Sequence, residues 1–272
     1  MPQRQGGKRE RLLFHHSSVK AIDDRTIMAA PAGRGIWIAP PRGNWLSCME
    51  GLPEGAHVNR IQLGRDRAYA CTDAGLYDWT GMRWTETDMP LTCYQVREVG
   101  ELLFAATAQG LWCRTENGWK STASPHQAVY DFLYTPQYIF LAMDGGIAMY
   151  DRLTFTWEQF PMGAAVTGLC VFRSRLLGVT EQGELLQGDR KGGFEKIRLP
   201  GLFVFRTAAA AGSVYLCTER GLYRLSELRG QTAAISVSMG LPVTDLDERG
   251  GRLYMATLSE GVQTIELRGP DA

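Results

Sequence analysis

The stretch HVNRIQLGRDRAYACTDAGLYDWTGMRWTETD, residues 57–88, resolves into four short β-rich runs joined by three tight links. HVNRIQL, RAYACT, GLYDW and RWTETD are separated by Gly64-Arg65-Asp66, by Asp73-Ala74 and by Thr80-Gly81. Each link is of hairpin length and carries glycine or aspartate, which suit tight turns. This order predicts an antiparallel meander with no helix. The following stretch repeats it as QVREV, LLFAAT, GLWCR and GWKST, and Asn117-Gly118 supplies a pair suited to a type I′ turn.

Outward from this unit, the same grammar recurs along the chain: a β-rich run, a polar hinge, a glycine and a second β-rich run. The hinge glycines are Gly35, Gly75, Gly110, Gly146, Gly183, Gly221 and Gly261, with separations of 40, 35, 36, 37, 38 and 40 residues. Such a period marks a repeated supersecondary unit. Seven units use nearly all of the 272 residues. The prediction is an all-β, seven-bladed β-propeller of four-stranded antiparallel blades, forming one domain over 1–272. The blades fall at about 18–50, 56–88, 93–123, 127–160, 165–199, 202–239 and 243–267. The alanine-rich segment 205–210 is placed on an innermost strand, where small side chains suit a crowded axis. The seventh unit lacks a fourth run, while RERLLFHH precedes the first. Residues 9–16 are therefore expected to complete the last sheet, behind a flexible tail at 1–8, because closure removes exposed sheet edges. Aromatic residues nine to eleven positions after the hinge, Trp45, Trp84, Trp119, Trp157 and Phe194, are expected to wedge between neighbouring sheets. The sixth unit has only Ile235 and Val237 in that stretch.

The strings MEGLPEGAHVNRIQ, MGLPVTDLDERGGRLYMATLSEGV and AGLYDWTGMRWTE resemble the two-component-regulator propeller repeat. In that repeat a Gly-Leu-Pro turn leads to the innermost strand and a Gly-Leu-Tyr hinge follows. TENGW and GDRKGGF are more distantly similar to the turn of BNR and Ycf48-type repeats. The resemblance implies the propeller fold. For regulator propellers it also implies a sensing role in exported regions of membrane kinases, whereas this sequence carries no kinase region.

Composition narrows the functional classes. Lys plus Arg and Asp plus Glu number 29 each, so no global field draws the chain to nucleic acid or an anionic membrane. The apolar part of the N-terminal segment, Leu12 to Phe14, is far shorter than a signal-peptide core, and no stretch approaches the roughly 18 apolar residues of a spanning helix. Cys48, Cys71, Cys93, Cys113, Cys170 and Cys217 are scattered without a CxxC pair, so they read as buried free thiols. Together these features predict a soluble, cytoplasmic protein with no cofactor, no metal and no membrane partner.

Chemistry-bearing constellations are sparse. His15 and His16 lie on the expected closing strand; His57 and His126 lie in separate inter-blade loops and form the candidate axial ligand site. Gly-Arg-Gly at 33–35 and GDRKGG at 188–193 precede no helix that could hold a phosphate, so both read as turns. Charge is sorted by loop class instead. Turns between second and third strands carry Asp73, Asp144, Glu181, Glu219 and Glu260, and inter-blade loops on the same face add Glu54 and Asp88. The opposite face gathers arginines, among them Arg65, Arg67, Arg173, Arg249 and Arg252. The expected function is a non-catalytic scaffold whose acidic face docks a basic segment of a protein partner. The alternatives are a small-molecule or glycan sensor at the axial opening, or a propeller lyase or hydrolase of unrecognised type. Nucleic acid is not an expected partner, since aromatics do not interleave with the arginines.

Overall fold

The structure, a computed structural model, describes residues 17–40, 43–189 and 192–267. Its strands form seven antiparallel sheets, each a simple meander in chain order. The first six have four strands; the seventh has three among the described residues, Val243–Arg249, Arg252–Thr257 and Val262–Glu266. The proposed closing strand at 9–16, with His15 and His16, lies outside the described residues.

The innermost strands are Ser18–Asp23, Val58–Leu63, Cys93–Val99, Val129–Tyr134, Val166–Phe172, Val204–Ala210 and Val243–Arg249. Each lies beside the next, and the last lies beside the first, so the sheets form a closed ring of seven blades around an axis. A single 3-10 turn at Pro31–Gly33 is the one helical segment among the described residues.

Each sheet presents two apolar faces to its neighbours, and the core is divided accordingly. One buried cluster fills every gap between consecutive blades. Met28, Ile36, Ile61 and Trp84 fill the gap between blades 1 and 2; Phe104, Leu111, Phe132 and Leu141 fill that between blades 3 and 4. Val19, Ile27 and Tyr254 seal blade 7 against blade 1. Fully burying one such side chain contributes about 1.5–3 kcal/mol, so the ring is held by seven comparable interfaces rather than by one central core. All six cysteines are buried and unpaired, as the sequence predicts.

The hinge glycines divide into two classes. Gly75, Gly110, Gly146 and Gly221 take φ between 103° and 140°. At Gly75 and Gly221 an added Cβ would strike the carbonyl oxygen of Met89 or Ser238 on the outer strand, so the close strand approach requires glycine. A buried threonine three residues earlier fastens three of these turns: the hydroxyls of Thr72, Thr107 and Thr218 donate to the carbonyls of Gly75, Gly110 and Gly221 at 2.8–2.9 Å. In blades 1, 5 and 7 the glycine sits at φ 68–76° within the turn itself.

The aromatic wedges are more varied than expected. Trp84 is buried and its indole N–H donates to Cys48 O of the preceding blade; Trp119 does the same to Thr87 O. Phe194 packs edge-on against Phe160 of blade 4. Trp157, by contrast, lies 46% exposed against Tyr150 of its own blade, and Trp45 is 37% exposed. Trp157 sits on an outer strand with much exposed surface and Trp45 just before the two-residue strand Leu46–Ser47, so position after the hinge alone does not bury a ring. In blade 6 the outer strand Gln231–Met239 has no aromatic residue and leaves Ile235, Val237 and Met239 exposed.

Candidate functional site

The main concentration of buried charge lies on the innermost strands. In five blades the pairing of the first two strands skips one residue just after the innermost strand begins: between Val58 and Arg60, Val129 and Asp131, Val166 and Gly168, Val204 and Arg206, Val243 and Asp245. Blade 3 skips between Cys93 and Gln95. A β-bulge bends its strand and re-aims the next side chain. The re-aimed residues are Arg60, Gln95, Asp131, Gly168, Arg206 and Asp245, and Ser18 of blade 1 joins their hydrogen-bond network. Two residues further along the same face stand Lys20, Gln62, Arg97 and Asp247. A polar ring drawn from six of the seven blades thus surrounds the axis, Gly168 of blade 5 adding no side chain.

Two carboxylates organise it. Asp245, 1% exposed, accepts from Arg206 Nη1 at 2.7 Å, Ser18 Oγ at 2.8 Å and the Val19 N–H at 3.1 Å. Its neighbour Asp247 accepts from Lys20 Nζ at 3.3 Å and the Ala21 N–H at 2.8 Å. Both therefore tie blade 7 to blade 1, while Arg206 adds blade 6. Asp131, 4% exposed, accepts from Arg97 Nη2 at 3.0 Å, Gln95 Nε2 at 3.2 Å, the Phe132 N–H at 2.8 Å and the Leu169 N–H at 3.0 Å. It spans blades 3, 4 and 5. Burial alone would raise both carboxyls, yet both are held below the usual range: Arg97 and Arg60 outweigh burial at Asp131, and Arg206 and Lys20 at Asp245.

Arg60 is treated differently. Its side chain is only 6% exposed, its Nη1 stands 4.0 Å from Asp131 Oδ2, and that Nη1 has no hydrogen-bond partner. Burial, then the Arg206 charge from across the axis, pulls its pKa down to about 10 despite Asp131 and Asp245. Nε of Arg97 is likewise buried without a partner. The sequence reading missed this ring. Its signal is the recurring Val-x-charge triplet of Val58–Arg60, Val129–Asp131, Val204–Arg206 and Val243–Asp245, visible only once the innermost strands are aligned on their bulges.

The residues singled out from the sequence lie elsewhere, on the face built from inter-blade loops and second-to-third-strand turns. Three of the acids fasten the loop leading into their own blade. Asp73 Oδ1 accepts the His57 N–H at 2.8 Å, Glu181 Oε1 the Ala165 N–H at 3.4 Å, and Glu219 Oε2 the Phe203 N–H at 2.6 Å. Asp144 accepts the Tyr130 hydroxyl at 2.7 Å while remaining exposed. Glu54, Asp88 and Glu260 are exposed, and none of them, nor Asp144, enters an ion pair among the described residues. Arg220 pairs with Glu219 at 3.5 Å and removes part of that charge.

The two histidines occupy different settings. The imidazole of His57 fills the space that a Cβ on Gly33 would take, at the junction of blades 1 and 2. His126 is exposed at φ 71° and lines a cleft of about 520 Å³ on blade 4 with Asp144, Gln159 and Phe160. No group of three His, Cys, Asp or Glu side chains that could hold a metal occurs among the described residues. On the opposite face the arginines are largely paired: Arg65 with Glu101, Arg67 with Asp78, Arg173 with Glu227, Arg249 with Asp24 and Arg252 with Glu266, at 2.7–3.3 Å. No helix among the described residues is long and apolar enough to cross a membrane.

No protein-family model and no curated protein matches the chain. Solved structures do. The extracellular domain of BT4673 from B. thetaiotaomicron superposes with a TM-score of 0.74 at 15% identity, over 93% of this chain and 39% of that one. This chain therefore spans well under half of that protein's solved length. Virginiamycin B lyase from Staphylococcus aureus superposes at 0.72 and 10% identity, covering 94% and 96% of the two chains. YCF48 bound to D1 peptide does so at 0.68 and 11%, covering 94% and 92%. At these identities the likeness is one of fold: the chain is a seven-bladed β-propeller module resembling the regulator and Ycf48-type propellers.

Proposed function

We propose that this propeller is a non-catalytic interaction module that docks a basic segment of a protein partner on the face carrying the inter-blade loops. The observation that carries the reading is the set of exposed carboxylates on that face, Glu54, Asp88, Asp144 and Glu260, which lack ion pairs among the described residues. Unpaired surface charge of one sign steers an oppositely charged partner, and its effect fades with salt. YCF48, of the same fold, was solved with a bound peptide. Asp73, Glu181 and Glu219 contribute to the potential but also hold backbone N–H groups, so they are poor sites for testing docking alone. Triple replacement of Glu54, Asp144 and Glu260 by lysine should abolish binding of a lysine- and arginine-rich peptide in fluorescence anisotropy at low salt, while leaving the fold intact by circular dichroism. Equal binding by the variant would reject the face.

A second reading, binding of a small molecule, is favoured by the blade 4 cleft with His126 and Asp144 on its wall. A metabolite that raises the melting temperature of the wild type but not of a His126→Ala variant would support it. With both readings goes a cytoplasmic setting, suggested by six buried thiols that remain unpaired. Cell fractionation tests it.

A further inference from the structure

We propose that the axial channel holds a small carboxylate anion on Arg60, the buried guanidinium of blade 2. The channel site is separate from the loop face and from both histidines, so it stands or falls independently of the docking reading.

Three observations converge on it. First, the donors are in surplus. Asp131 takes Arg97, Gln95 and the Phe132 N–H on Oδ1 and the Leu169 N–H on Oδ2, while Arg60 Nη1 stays 4.0 Å from Oδ2 and without a hydrogen bond. A buried guanidinium donor without an acceptor is costly, and a charged donor more so. Second, the orphan donors are neighbours. Arg60 and Arg97 flank the same carboxylate, and each keeps one nitrogen unpartnered, Nη1 and Nε. Directional N–H groups of this kind match the two oxygens of a carboxylate better than a spherical halide. Third, the positive groups outnumber the negative. Lys20, Arg60, Arg97 and Arg206 face Asp131, Asp245 and Asp247, an excess of one that a monoanion neutralises. The like charge of Arg206 acting on Arg60 from across the axis has the same origin.

Size and access set the ligand class. Arg60 is almost wholly enclosed, its side chain 6% exposed, which limits any ligand there to a formate- or acetate-sized group. Arg97 is 36% exposed and Arg206 19%, so solvent reaches the ring beside Arg60.

The test uses the full chain with HEPES as the sole background anion and constant ionic strength. Sodium formate, acetate and chloride are titrated while the melting temperature and the linewidth of ¹³C-formate are followed. Formate and acetate should raise the melting temperature saturably, and formate should broaden. Arg60→Gln should weaken the apparent affinity by about tenfold or more, the loss expected for a charge-assisted hydrogen bond. Should that variant not fold, Arg97→Lys, which removes the Nε donor and keeps the charge, should weaken it as well. A wild type indifferent to both carboxylates, a response to chloride alone, or affinity unchanged by Arg60→Gln would each overturn the assignment.

Discussion

The two carboxylate hubs of the channel occupy equivalent positions in blades 4 and 7, yet they are finished differently. Asp245 has its arginine at 2.7 Å, and its remaining acceptor capacity goes to Ser18 and the Val19 backbone across the seam between the last blade and the first. Asp131 is crowded with four donors and keeps a second arginine at a distance. The same bulge thus serves two ends. Where the chain's ends must be joined, the charge is fully matched and acts as a clasp. On the far side of the axis, matching is incomplete and a buried cation is left with capacity to spare. The Gly168 position explains part of the difference: blade 5, next to Asp131, contributes no side chain to the ring, only the Leu169 N–H.

Breaking the clasp should have the largest effect. Asp245→Asn leaves Arg206 without its buried counter-charge and weakens the links to blade 1. Removal of one partner of a buried pair costs about 3–5 kcal/mol, so chemical denaturation should show a loss of that order. Asp131→Asn should cost less, because Arg97 is partly exposed and can turn to solvent, although buried Arg60, 4.0 Å away, also loses its nearest carboxylate charge. Equal losses would mean that the seam is no weaker than the other interfaces.

Acid should expose the same pair. Both carboxyls titrate below their ordinary value in the folded state, so their contribution is present above the usual aspartate pKa of about 3.9 and is lost as pH falls through the lowered folded values. Urea midpoints measured from pH 5 downward should fall steeply for the wild type and less steeply for Asp245→Asn. Parallel curves would place the acid-sensitive groups elsewhere.

The loop latches are smaller. Asp73→Asn keeps an acceptor for the His57 N–H but removes its charge, and the expected loss is about 0.5–1.5 kcal/mol, as for a single hydrogen bond. Hydrogen exchange at His57 should quicken, while amides of the channel strands keep their protection.

How much of this was legible in the sequence follows from what each feature depends on. The seven blades were readable because hinge glycines and turn pairs act locally: Gly75 and Gly221 take φ of 137° and 140°, which favours glycine before any neighbouring strand is considered. The loop face was readable for the same reason, since turn residues announce themselves. The latching role of Asp73, Glu181 and Glu219 was not, because it needs the loop preceding each blade to come back against a turn some sixteen residues later. The channel was least legible. A bulge shifts which face a residue takes, so alternation counted from the strand start puts Arg60 and Asp131 on the wrong side. Trp157 failed for a related reason: position after the hinge fixes the strand but not whether the neighbouring blade covers it.

The smallest expected effect is the most discriminating. Arg60→Met replaces an under-satisfied buried cation with an apolar side chain of similar length, at a site where Asp131 retains four hydrogen bonds, that of Arg97 among them. Replacing poorly matched buried charge by hydrophobic residues is often neutral or stabilising. In HEPES without small carboxylates the variant should therefore lie within about 1 kcal/mol of the wild type, in contrast to Asp245→Asn, although both residues occupy the same ring position. If Arg60→Met instead costs as much as Asp245→Asn, the guanidinium is already well compensated by Asp131 at 4.0 Å. The two hubs would then be equivalent clasps, with no capacity left on the side of blade 2.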